Sequence, residues 1–221
     1  MIPKTVVQTS LKRPPEPIIH RTMSVLGEEF SYAHFDDDAI LKFFEDHPLS
    51  DLPNVSERFK ELKSGEHKAD LFRYYYLYVC GGVYFDTDVL IVTSLSPYIS
   101  NNDFVSVTAG NVGGALFQGF LAVSPRHPVL LRAVLDVCET SDQSLASDHH
   151  ILCKNLQFFL NEYLEENSAA RYSTLLLSEV PHNRHVAKSL DDKGDTVLYH
   201  YWKRRYPPRF PVLVPGAKWA L

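Results

Sequence analysis

The sequence predicts an α/β fold, a parallel sheet flanked by helices, and three observations carry that expectation. Strand-prone runs at Ile2–Thr9 and Phe30–Phe35 alternate with helix-like stretches after Pro14 and after Asp36, and strands that alternate with helices imply a parallel sheet. The apolar run Val83-Tyr84-Phe85 follows the double glycine Gly81-Gly82, the pattern of a buried strand entered from a tight turn. Two acids, Asp86 and Asp88, stand directly at the end of that run.

The 221 residues suffice for one sizeable core and leave no room for two ordinary domains. Hydrophobic residues make up 45% and charged residues 22%, the mix of a soluble globular protein. A net charge of −5 and a pI near 6.0 argue against a general nucleic-acid surface. No apolar run reaches the length of a membrane span, and the start Met1-Ile2-Pro3-Lys4-Thr5 lacks the apolar core of a signal peptide. Cys80, Cys138 and Cys153 sit in apolar surroundings without metal-ligand spacing, as buried free thiols of a reducing compartment do. A cytoplasmic, soluble enzyme is the expectation.

In chain order, the first strand ends in the polar residues Gln8 and Thr9, and the following helix runs to about Leu26. Asp36-Asp37-Asp38 precedes the apolar stretch Ala39–Phe44, so helix capping explains these acids better than a metal site does. Pro48 and Pro53 punctuate a loop before a short helix near Glu57–Lys63 and a longer one from about Glu66 to Val79. On the longer helix His67, Asp70 and Arg73 share one face, while Leu71, Phe72, Tyr75 and Val79 form an apolar stripe. Further strands are expected at Phe104–Val107, Leu116–Val123, Thr174–Leu177 and Thr196–Trp202, and further helices at about Val129–Cys138 and after Ser147. Ser147 suits the N-cap of the last helix and Asp148 its first turn. His149 and His150 share no helical face and have no third soft ligand nearby, which argues against zinc. Residues 207–221 contain four prolines and read as a tail or linker stub after a domain spanning 1–206.

Side chains on a strand alternate between its faces, so Asp86 and Asp88 are expected to point the same way. Two neighbouring carboxylates repel each other unless a cation neutralises them. Mg²⁺ and Mn²⁺ take one or two carboxylates together with phosphate oxygens, so this spacing suits a diphosphate substrate. A turn or a helix cap is the simpler alternative for Asp-x-Asp alone.

The run from His67 to Tyr78, with Gly81-Gly82 and Asp86-Thr87-Asp88 in order behind it, resembles the core signature of DXD-motif glycosyltransferases of the GT-A superfamily. The similarity spans roughly residues 67–90 and is greatest to the retaining alpha-mannosyltransferase and capsular-polysaccharide types, with the clostridial glucosylating toxins more distant. Ile2-Pro3-Lys4 through Gln8 resembles the opening of the same families, and His200 with Trp202 resembles the pair that closes their site. The resemblance implies a GT-A type single domain, with a Rossmann-like nucleotide-binding half and a mixed central sheet flanked by helices. It implies a nucleotide-sugar donor, UDP-linked in preference to GDP-linked, a glycan or glycoprotein acceptor, and Mn²⁺ or Mg²⁺ held by Asp86, Asp88 and His200. Gln8, Thr9, Asp70, Arg73, Asp86, Trp202 and Lys203 are the implied nucleotide and donor contacts, and Arg204 and Arg205 add charge beside a diphosphate. Asp148 is the candidate base of an inverting enzyme, or an acceptor contact in a retaining one. The Thr-Gly-Pro turn frequent in retaining families is missing, which leaves the stereochemistry open. Two other classes remain. Tyr84–Leu90 superficially fits the nucleophile strand of haloacid dehalogenase-type phosphohydrolases, with Asp86 as nucleophile and Asp191-Asp192 as distal acids, although that motif normally opens a chain. The third class is a non-catalytic module that binds a nucleotide sugar.

Overall fold

The computed structural model describes residues 1–208. The expected tail at 207–221 lies outside that range from residue 209 onward. In chain order the elements are β1 (Thr5–Thr9), α1 (Glu16–Leu26), β2 (Ser31–Phe35), α2 (Asp37–Asp46), α3 (Val55–Glu61), α4 (Gly65–Cys80), β3 (Gly82–Phe85) and β4 (Val89–Ile91). They continue as α5 (Ser96–Ile99), β5 (Phe104–Thr108), β6 (Phe120–Val123), α6 (Pro128–Glu139), α7 (Asp142–Ser147), α8 (Ile151–Glu166), a 3₁₀ turn at Ser168–Ser173, β7 (Thr174–Asn183), β8 (Val186–Leu190) and β9 (Thr196–His200).

The nine strands of the described residues form one sheet in the order β2-β1-β3-β6-β5-β7-β8-β9-β4. It is mixed. The β1 strand pairs in parallel with β2 and β3, and β5 with β7, while the remaining neighbours are antiparallel. The run of parallel strands that strand and helix alternation alone suggests is therefore confined to β2-β1-β3. The chain reverses at β6 without a crossover helix.

One step of this topology makes the site. The β3 and β4 strands stand third and ninth in the sheet, yet only Asp86, Thr87 and Asp88 separate them. Four residue steps reach at most roughly 14 Å, whereas six strand spacings in a flat sheet measure about 29 Å. The sheet must curl until its far edge comes back to β3, and the acidic triplet bridges the gap.

Alternation along the strands divides the interior in two. Val7, Tyr84 and Leu121 face α2, α3, α4, α6 and α8 in a helix-covered core with Phe43, Phe59, Phe72 and Leu156. Val6, Val83 and Phe85 face the other way, into the curl, with Leu26, Ile99, Val89, Ile91 and Val197. The α4 helix is buried from Leu71 through Leu77, more than its apolar stripe alone predicts, because helices pack against it as well as the sheet. Its start is capped by Ser64, whose hydroxyl accepts from the Glu66 N–H. At its end Gly81 and Gly82 have φ of +67° and +117°, and a Cβ on Gly82 would stand 2.7 Å from the Thr5 carbonyl oxygen. The double glycine thus lets the chain turn from helix to strand while lying tight against β1. Asp36 caps α2, its carboxylate accepting from the Ala39 N–H at 2.9 Å. No helix among the described residues is long and apolar enough to cross a membrane.

Three local expectations change. The Leu116–Val123 strand shortens to β6, with Leu116 making one isolated bridge to Thr108. The expected strand at Thr174–Leu177 is the first part of a ten-residue β7 that runs on to Asn183. The helix expected from Ser147 begins at Ile151 behind His150, and Ser147 instead closes the short α7.

Candidate functional site

The acidic triplet is a turn, and this corrects the expectation of two acids on one strand face. The β3 strand stops at Phe85, and the Val89 N–H donates back to the Asp86 carbonyl at 3.0 Å. The turn is fastened on every side. The Asp86 N–H donates to Gly119 O at 3.0 Å, and the Tyr201 N–H donates to Asp88 O at 3.1 Å. The Thr87 hydroxyl donates to Arg205 O at 3.1 Å. The cause is the topology described above, because the chain has to leave one side of the curl and cross to the other within these three residues.

The two acids consequently meet different partners. Asp86 Oδ1 lies 3.2 Å from Arg73 Nη2 and accepts from the Tyr84 hydroxyl at 2.7 Å. Tyr84 reaches it because its ring faces α4, under the Arg73 guanidinium at 4.4 Å. Asp86 Oδ2 points toward Gly119, where a Cβ would approach it to 2.8 Å. Asp88 Oδ2 stands 3.6 Å from His200 Nε2, and its Oδ1 is buried without a hydrogen-bond partner among the described residues. Burial raises the Asp88 pKa, His200 tempers the rise, and Asp86 adds to it. Burial opposes charge on the His200 ring, but Asp88 and Glu179 outweigh it and lift the pKa to about 9. Phe117 stacks on that imidazole at 4.3 Å, and Trp202 meets it edge-on at 5.7 Å.

Asp70 and Arg73 form a buried pair, so neither belongs to a surface ion pair. Arg73 Nε lies 3.5 Å from Asp70 Oδ1, and Nη1 donates to Gln118 O at 2.7 Å. Burial pushes the Asp70 pKa up to about 7, with Arg73 opposing and Asp86 assisting. Burial weakens Arg73 as a cation, yet Asp86, Tyr84 and Asp70 together raise its pKa further. Gln8 is spent on the turn itself. Its Nε2 donates to Phe85 O at 3.2 Å and Asp86 O at 3.3 Å, and its Oε1 accepts from the Tyr32 hydroxyl at 3.0 Å. Thr9 ties β1 to β2 by donating to Phe35 O at 2.9 Å. Lys203, Arg204 and Arg205 are exposed beside the turn.

Asp148 stands apart from this group of contacts. It is half-buried beyond the end of α7, not in the first turn of α8; its Oδ1 accepts from the His150 N–H at 3.0 Å and its Oδ2 pairs with Lys154 at 2.8 Å. Those two contacts hold its pKa below the usual carboxylate range. Its neighbour His150 does reach a cavity of about 310 Å³, which His200, Glu179, Trp202, Phe117 and Asn111 also line. Tyr84, Gly119, Phe117 and Glu179 were not singled out from the sequence. Tyr84 read as core, and a single glutamate just beyond the strand expected at Thr174–Leu177 carries no motif.

The acids fit a hard cation in part. The unpartnered Asp88 Oδ1 and the Oδ2 of Asp86 offer carboxylate oxygens, as Mg²⁺ and Mn²⁺ prefer. Among the described residues, however, no group of three or more His, Cys, Asp or Glu is arranged to hold an ion. Asp86, Asp88 and His200 therefore do not form a pre-built shell, and His200 instead packs as an ion-pair partner of Asp88.

Residues 19–105 match the family model described as a glycosyltransferase sugar-binding region containing a DXD motif. The chain is 31% identical over 74 residues to the initiation-specific alpha-1,6-mannosyltransferase of Saccharomyces cerevisiae, a stretch covering 34% of this chain and 15% of that enzyme's length. Among solved structures, the PaToxG glycosyltransferase superimposes with a TM-score of 0.50 at 15% identity, covering 78% of each chain. The UDP-bound glycosyltransferase domain of the YGT toxin gives a TM-score of 0.37 at 13% identity over 67% of this chain and 52% of that one.

Proposed function

We infer that this chain, a DXD-type glycosyltransferase domain with the GT-A fold, transfers a sugar from a nucleotide-diphosphate donor to a hydroxyl acceptor, and that it does so in a metal-dependent way. The observation that carries the reading is the fixed acidic turn with a buried, unpartnered Asp88 Oδ1 beside Arg73-braced Asp86. Asp86 and Asp88 would hold the ion, with diphosphate oxygens completing its shell. A bound Mn²⁺ or Mg²⁺ supplies Lewis-acid stabilisation of the charge that develops on the departing diphosphate. Arg73 and Tyr84 fix the carboxylate of Asp86, so the turn needs little rearrangement when substrate binds. Lys203, with Arg204 and Arg205, adds positive charge at the exposed side of the turn, where the diphosphate enters. Trp202 and Phe117 supply flat apolar faces beside the cavity that takes the sugar or its acceptor. UDP is favoured over GDP because it is the commonest partner of the motif, and a glycan or glycoprotein is the proposed acceptor. The domain responsible spans residues 1–206.

Asp86 acting as a phosphohydrolase nucleophile fits the geometry poorly. Its Oδ1 is occupied by Arg73 and Tyr84, and its strand has an antiparallel neighbour in β6. The test is a thermal-shift and donor-hydrolysis screen of UDP- and GDP-sugars with and without Mn²⁺. A ligand that binds only the folded state raises the melting temperature. The expected result is stabilisation and turnover only when nucleotide and ion are both present, abolished by excess chelator. Stabilisation without turnover would leave a binding module, and full activity in chelator would remove the ion from the reaction.

Asp148 enters on the acceptor side. Its carboxylate is already engaged by Lys154 and the His150 N–H, which makes it a weak base. Asp148→Asn is expected to raise the acceptor KM by about threefold to tenfold, the scale of one ordinary hydrogen bond, with kcat nearly unchanged. A hundredfold fall in kcat with an inverted product would make it the general base.

A further inference from the structure

We propose that Glu179 is a positioning residue that couples the glycine-rich loop at 110–114 to the acidic turn through His200. Its bearing on turnover rests on the glycosyl-transfer reading; its hold on the loop does not. Glu179 lies on β7, one residue beyond the last rung that β7 shares with β5, the pair Thr108 and Ser178. Its side chain is only 7% exposed. Oε2 accepts from the Gly110 N–H at 2.9 Å, and Oε1 faces His200 Nδ1 at 3.5 Å. The other ring nitrogen of His200 faces Asp88. One buried carboxylate therefore touches both the loop that walls the cavity and the imidazole that faces the acidic turn.

The approach of the loop is close. A Cβ on Gly110 would stand 2.4 Å from the Glu179 carbonyl oxygen, so main chain packs on main chain there. Phe117 presses on the face of the His200 ring while Glu179 faces its edge. The Nδ1 atom is buried and has no hydrogen bond among the described residues, and the 3.5 Å gap to Glu179 is one a small movement closes. Hydrogen bonds of this kind are often long in ligand-free proteins and tighten in the complex. A ligand that draws the loop over the cavity carries Glu179 toward His200 and fixes the ring against Asp88. By reciprocity, a ligand bound at the acidic turn steadies the loop.

Amide hydrogen exchange of residues 109–116 tests this in the wild type, Glu179→Gln, Glu179→Ala and His200→Ala. Without ligand, Glu179→Ala is expected to speed exchange by about tenfold or more, because the Gly110 N–H loses its buried acceptor. Glu179→Gln keeps an acceptor for Gly110 and is expected to retain protection, which also shows that the variant folds. His200→Ala, which leaves Glu179 without its ring partner, is expected to speed exchange as well. UDP with Mn²⁺ should add protection to the wild-type loop and add none in Glu179→Gln, although melting shifts show that the variant still binds both. Equal added protection in wild type and Glu179→Gln overturns the coupling, as does unchanged exchange in either alanine variant. If UDP with Mn²⁺ fails to bind the wild type, the functional reading falls. The ligand-free arms then decide the coupling alone: faster exchange in His200→Ala supports it, and unchanged exchange overturns it.

Discussion

Asp88→Asn is expected to lower donor turnover by about a thousandfold or more while leaving the fold in place. The buried Oδ1 of Asp88 has no partner of its own among the described residues, and its companion oxygen faces His200. Asparagine keeps the shape and removes the charge, so under the proposed metal-dependent transfer the variant loses several kcal/mol of cation-mediated stabilisation of the leaving group, which is about a thousandfold or more in rate. Stability should change little, because a desolvated acid beside a second acid is removed, and His200 retains Glu179 as a charge partner. Circular dichroism and the melting temperature check the fold; donor hydrolysis at saturating Mn²⁺ checks the chemistry. Retention of a tenth of wild-type turnover would show that Asp88 is dispensable. An unfolded variant would show that the pair is structural.

The sequence carried the helix that braces this turn more faithfully than the turn itself. His67, Asp70 and Arg73 on one face and the apolar residues Leu71, Phe72 and Tyr75 follow from helical spacing, and all six are buried on α4. Asp36 as a cap was equally legible, because a cap is a contact within four residues. Asp86 and Asp88 were visible as a pair, but their placement on one strand face was not upheld. That placement depends on the ninth strand position of β4, a property of the whole sheet. Non-local partners were invisible for the same reason. Glu179 meets Gly110 across a separation of 69 residues, and Gln8 meets the Asp86 carbonyl across 78. Asp148 misled in the opposite direction: a Ser-Asp pair before an apolar run looks like a helix start, yet here it lies at the end of α7.

Arg73→Met is expected to destabilise the protein by about 3–5 kcal/mol, the usual consequence of removing one partner from a buried ionic cluster. Arg73 is 4% exposed and joins four groups: Asp70, Asp86, the Gln118 carbonyl and the Tyr84 ring. Methionine fills most of the volume, so the loss measures the two carboxylates left without a cation. Arg73→Lys should fall between, because one ammonium cannot replace a planar fork of donors. The pH dependence follows from Asp70, whose folded pKa of about 7 lies above the ordinary 3.8. A raised folded pKa means that folding takes up a proton between those values, so this group favours the native state most below about pH 4 and progressively less toward pH 7. Without Arg73, Asp70 escapes its unpaired charge by keeping the proton, and the destabilisation should be smaller at pH 5 than at pH 8. Adding Asp70→Asn to Arg73→Met should recover part of the loss at pH 8 and little at pH 5. Urea unfolding of the wild type and these three variants at both pH values measures all of this. A loss below about 1 kcal/mol in Arg73→Met, or one independent of pH, would show that Arg73 serves as packing and does not neutralise the acids beneath the turn.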